Sequence, residues 1–134
     1  MSAVKGLRLR TLKSKEFDRF ARKNELRNRD LLRAIEEILS GSVDADLGGG
    51  VFKQRVRRKG QGKSGGFRTI ILLRTGSLAI FVYGFAKKDR ANISDEELRT
   101  WRSVARDLLA TEAAVKAAIA SGKLIEVVAD EEDE

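Results

Sequence analysis

The sequence contains no cysteine and no histidine. Without cysteine there are no disulfides, no thiolate metal sites and no cysteine nucleophile. Without histidine, the commonest metal ligand and the usual general base at neutral pH are missing, and any Ser-His-Asp triad with them. Long apolar runs are lacking too; residues 70–73 are typical in length, far short of a membrane-crossing helix. The opening residues, Met-Ser-Ala-Val-Lys-Gly-Leu-Arg, lack the apolar centre of a signal peptide. These absences predict a soluble, cytoplasmic protein with no membrane partner, no metal and no small-molecule cofactor. Acidic residues are missing from one long segment, with none between Asp46 and Asp89.

What is present fits one domain. The 134 residues are 42% hydrophobic, enough for a real core and too few for two domains. Lysine and arginine number 27 against 20 acids, a net charge of +7. The last five residues are all acidic, so residues 1–129 hold 27 cations against 15 acids, net +12. The expected organisation is a single domain over 1–129 followed by a disordered acidic tail, 130–134. The acid-free segment carries Lys53, Arg55, Arg57, Arg58, Lys59, Lys63, Arg68, Arg74, Lys87 and Lys88. Soluble surfaces usually mix signs, so an unbroken cationic stretch points to a polyanion, most often nucleic acid.

Periodicity supplies the elements. Alternation over 7–12 predicts a first strand. Ser14 caps a helix with Phe17, Phe20 and Ala21 on one side, stopping at Asn24. Asn28 caps a second helix with Leu31, Leu32, Ile35, Ile38 and Leu39 on one face, closed by Gly41. Asp46 to Gly50 is expected to be a flexible turn. Residues 51–58 alternate with one cationic face, and 68–75 and 78–85 are β-rich runs joined by Gly76-Ser77. These three make an antiparallel meander. Ser94-Asp95-Glu96-Glu97 is a capping box that opens a helix carrying Leu98, Trp101, Ala105, Leu108 and Leu109 inward. Thr111 caps a last short helix, about 111–121, and 124–128 is extended.

Several motifs fail their context. Gly60-x-Gly62-x-x-Gly65 matches a dinucleotide fingerprint as a string, but it leads into a strand and no acid follows at the required distance. Gly62-Lys63-Ser64 resembles a P-loop ending, yet Arg57 stands where its first glycine belongs. The loop instead offers backbone N–H groups and one ammonium to a phosphate. Glu36-Glu37 and Asp95-Glu96-Glu97 are explained by helix surfaces and capping. Asp44 and Asp46 flank a turn and are too few for a metal site. The aromatics fall at core spacing except Tyr83, which sits beside Gly84 near a strand end where its hydroxyl can meet a ligand.

The run from Asp44 to Ile93, with its Gly-x-Gly-Lys-x-Gly-Gly-x-Arg and Tyr-Gly-x-x-Lys segments, resembles the RelE/HigB type of toxin from bacterial type II toxin–antitoxin modules. The resemblance spans roughly residues 7–109 and leaves the last helix and tail outside the common core. It implies an α+β, RelE-like fold: N-terminal strand and helical hairpin, three-stranded antiparallel meander, C-terminal helices. It also implies a ribosome-dependent mRNA endonuclease that inhibits translation without a metal, the 2′-hydroxyl attacking its own 3′-phosphate. By motif position Lys53 and Arg55 match the basic pair on the second strand, Arg68 the arginine opening the third, and Lys87 the cation after the last. Lys88 and Ser94 stand about where the best-known members have a further arginine and a tyrosine, which leaves Tyr83 as the tyrosine candidate. The implied catalytic set is Lys53, Arg55, Arg68, Tyr83 and Lys87, with Arg57, Arg58, Lys59, Lys63 and Lys88 binding RNA and ribosome. Implied partners are the ribosome, mRNA and a cognate antitoxin, expected to be a helix-turn-helix protein encoded nearby. Two other readings use the same residues: a non-enzymatic ParE-type toxin that poisons gyrase, and a plain RNA- or DNA-binding module. The four matched cations count against the first. The second would need 111–121 as a recognition helix, but that helix is alanine-rich and carries only Lys116.

Overall fold

A computed structural model of the chain describes residues 9–58, 60 and 66–129. Its elements run β1 (Arg10–Ser14), α1 (Lys15–Lys23), α2 (Asn28–Leu39), β2 (Ala45–Asp46), β3 (Val51–Val56), β4 (Phe67–Arg74), β5 (Leu78–Ala86), α3 (Asp95–Leu108), α4 (Glu112–Ala120) and β6 (Leu124–Glu126). The strands form one six-stranded sheet in the order β2-β3-β4-β5-β1-β6.

The β3-β4-β5 meander is antiparallel throughout, as the alternating runs predict. The sheet extends beyond it on both sides. β1 joins β5 in parallel, Leu12 opposite Ile80, and β6 closes antiparallel on β1, Leu12 opposite Glu126. The first strand lies later than the expected 7–12, because Ser14 both ends β1 and caps α1, its Oγ accepting the Phe17 N–H at 3.0 Å. Arg27, not Asn28, occupies the cap position of α2, and the Asp30 carboxylate takes the Arg27 N–H at 2.8 Å. Asn28 instead donates to the Val128 carbonyl at 2.8 Å, tying the helix to the end of the chain.

Both faces of the sheet are covered. Phe17 and Ala21 of α1 and Leu31, Ala34, Ile35 and Ile38 of α2 pack on Val56, Phe67, Ile71 and Phe81. Ala105 of α3 and Val115 of α4 pack on Val51, Ile70, Leu72, Ile80 and Val82. Val115, Leu124 and Val127 are buried, so the C-terminal helix and the strand after it pack into the core. Residues 1–8 and the tail 130–134 lie outside the described residues.

The glycine run is also not the flexible turn expected. Gly48, Gly49 and Gly50 all have positive φ, and a Cβ at Gly49 would stand 3.0 Å from the Arg102 stem. Arg102 donates to the Leu47 carbonyl, and Asp46 accepts the Gly48 N–H at 3.0 Å. The glycines let this turn press against α3, a conformation that side chains would strain.

Candidate active site

Register decides which cations meet. Arg55 is directly opposite Arg68 across β3 and β4, and Arg68 is opposite Phe85 on β5. One step along, Lys53 is opposite Ile70, and Ile70 opposite Tyr83. Alternation along the strands puts Lys53, Arg55 and Arg68 on the same face as Val51 and Ile70, the face that α3 covers only in part. Directly opposed residues on one face have Cβ atoms about 4.5–5.5 Å apart, so the two arginines crowd each other.

Among the described residues, no acid forms an ion pair with Lys53, Arg55, Arg68, Lys87 or Lys88. Other cations of the acid-free segment are committed to the fold. Arg74 donates through Nε and Nη2 to the Leu109 carbonyl at 3.0 and 2.9 Å and meets Glu112 at 3.0 Å. A cation on that carbonyl complements the C-terminal end of α3. Arg57 reaches Glu37 of α2 at 3.5 Å, while Arg58 lies over the Phe67 ring and meets Glu25 at 3.7 Å. Lys59 and Lys63 lie outside the described residues, as does most of the glycine-rich loop. The carboxylates of Asp44 and Asp46 are taken up by the Arg55 and Gly48 backbone N–H groups.

Tyr83 and Lys53 are linked through a residue that sequence reasoning missed. Arg90, in the turn after β5, donates through Nη1 to the Tyr83 hydroxyl at 3.0 Å. The same guanidinium grips the Glu97 carboxylate at 3.0 and 2.6 Å, and its Nε donates to the Asn92 carbonyl at 3.0 Å. It stacks over both the Tyr83 and Phe85 rings, 5.9 and 5.6 Å from their centroids. The Asn92 side chain in turn accepts from Lys53 Nζ at 3.4 Å. Glu97 has a second duty in the capping box of α3, accepting the Ser94 N–H at 2.7 Å. The Arg90 bond, then the Ser94 N–H, hold its carboxyl down at about 2 from an ordinary 4.5, and Glu97 and Tyr83 push the Arg90 guanidinium upward.

Four of the five residues predicted as catalytic are thus on one face: Lys53, Arg55, Arg68 and Tyr83. Lys87 is not among them. With Lys23, Arg58 and Lys88 it lines a cavity of about 570 Å³ at the end of the sheet beside α1, floored by Phe67 and Ala86. Helix α4 turns Val115 into the core and is no free recognition helix.

The fold is a mixed α+β domain whose sheet carries Lys53, Arg55 and Arg68 together on one partly covered face. The family model for the RelE toxin of the RelE/RelB toxin–antitoxin system matches residues 9–127. The chain belongs to the RelE toxin family, and the match runs through α4 and β6, beyond the 7–109 that the motifs suggested. No curated protein and no solved structure matches it. RelE toxins partner with cognate antitoxins. Among the described residues, no helix is long and apolar enough to cross a membrane.

Proposed function

We propose that this toxin is a ribosome-dependent mRNA endonuclease that uses no metal, the 2′-hydroxyl attacking the adjacent 3′-phosphate. Membership of a family whose members are generally endoribonucleases supports this reading. The observation that carries it is the Arg55–Arg68 pair. Like charges directly opposite each other destabilise a sheet, and among the described residues no acid forms an ion pair with either. A local rule broken without structural compensation marks a functional site, and here the missing counter-charge is an anion from outside. The dianionic phosphorane that forms as the 2′-oxygen attacks is such an anion. Fixed guanidinium groups stabilise it more than they stabilise the singly charged diester, which is the condition for rate acceleration. Lys53 and Tyr83, one row away, are placed to move protons. Lys87 and Lys88, around the strand ends, are left to hold flanking RNA or ribosomal RNA.

The test is primer extension on mRNA from cells after induced expression, repeated with purified toxin on programmed ribosomes. Cuts that need the ribosome and survive a chelator support the reading. Growth arrest on induction, relieved by a co-expressed neighbouring antitoxin, is the matching result in cells. Arrest with intact mRNA and with gyrase trapped on supercoiled DNA would replace it with the ParE-type reading. Binding of free RNA without cleavage would leave a plain binding module.

A further inference from the structure

We propose that Arg90, held by Glu97, positions Tyr83 as the general acid of the cleavage step; this rests on the endonuclease reading above. Neither the motifs nor the family match assigns Arg90 a part. Its placement is tightly determined: four hydrogen bonds in its plane, to Tyr83, Asn92 and both oxygens of Glu97, and two aromatic rings against its face. Tyr83 is fixed as fully, with Phe85 at 5.9 Å and Trp101 at 6.4 Å beside its ring. A guanidinium has only donors. When Arg90 donates to the phenolic oxygen, Tyr83 keeps its own O–H free to donate elsewhere. Register puts Tyr83 on the same face as Lys53, Arg55 and Arg68, where the substrate phosphate would lie.

The step then balances. The 2′-hydroxyl gives its proton to Lys53, acting as general base, and the 2′-oxygen forms a bond to phosphorus. The bond from phosphorus to the 5′-oxygen breaks, leaving a 2′,3′-cyclic phosphate. Tyr83 gives its proton to the departing 5′-oxygen, and the phenolate left behind rests against the Arg90 charge until solvent reprotonates it. Arg90 touches no substrate; it is a positioning residue that acts through Tyr83.

The experiment compares two mRNAs on programmed ribosomes, one ordinary and one with sulfur replacing the bridging 5′-oxygen at the mapped cut. A thiolate leaves without needing a proton. Wild type should cut both. Tyr83→Phe and Arg90→Gln should each slow single-turnover cutting of the oxygen mRNA on the order of 10²-fold. The double variant should be no slower than Tyr83→Phe, because the two act as one unit. On the sulfur mRNA all variants should come within about threefold of wild type, which a merely structural defect would not allow. Glu97→Gln, which loosens Arg90 without removing it, should show a smaller loss, also erased by sulfur, and it carries the test if Arg90→Gln does not fold. Wild-type rates for Arg90→Gln on the oxygen mRNA, or a loss that persists with sulfur, overturn the proposal while leaving the endonuclease standing. A wild type that cuts neither mRNA overturns both.

Discussion

Arg55 and Arg68 set function against stability at the scale of single side chains. Removing one of them relieves repulsion, so Arg68→Ala should melt no more than about 1 kcal/mol below wild type, and above it if the repulsion dominates. The same change should slow mRNA cleavage on the order of 10²-fold or more, since it removes charge where transition-state charge develops. Denaturant midpoints and ribosome-dependent cleavage rates check the two halves; cutting at the wild-type rate would mean that the cations serve binding only. Glu97 makes a pH prediction. Its folded carboxyl lies near 2, below the ordinary 4.5, so the stability that it contributes is complete above 4.5 and lost as pH falls toward 2. Wild type should therefore lose stability across that window more steeply than Glu97→Gln, which has no proton to take up. Acid titration of both by circular dichroism tests the difference.

At the scale of elements, Gly84 is the most constrained joint between helix and sheet. A Cβ there would stand 2.3 Å from the Phe20 ring of α1, which packs edge-on against Phe67 at 5.7 Å. Gly84→Ala should cost roughly 1–3 kcal/mol, read as a lower denaturant midpoint, because the Phe20 ring must shift to admit the methyl group. The meander, the helical hairpin and both C-terminal helices were legible in the sequence because each rests on local signals: alternation, the Gly76-Ser77 turn, and caps at Ser14, Ser94 and Thr111. The pairing of β1 with β5 and β6 was not. Periodicity says which face of a strand is buried and nothing about which distant strand lies beside it. The site divided in the same way. Lys53, Arg55 and Arg68 could be read from strand spacing. Lys87 lies just past the end of β5, where strand alternation no longer says which face it takes. Arg90 looked like one more charge in a solvated turn, Lys87-Lys88-Asp89-Arg90. Its distance of seven residues from both the single tyrosine and the capping Glu97 was the only available hint.

For the whole molecule, charge is the governing quantity. Deleting residues 130–134 raises the net charge from +7 to +12. Melting should be unaffected, since the buried core ends by Val127, and non-specific RNA affinity should rise with a steeper dependence on salt. Filter binding across a salt series and a melting curve would check this, and a marked drop in melting temperature would give the tail a structural role. The sheet order has a temporal consequence as well. Among the described strands β1 is synthesised first and β6 last, yet they are neighbours, and Val115 and Leu124 complete one side of the core. Contacts so distant in sequence form late. On a translating ribosome, β1 therefore lacks its outer neighbour until residue 126 has left the exit tunnel.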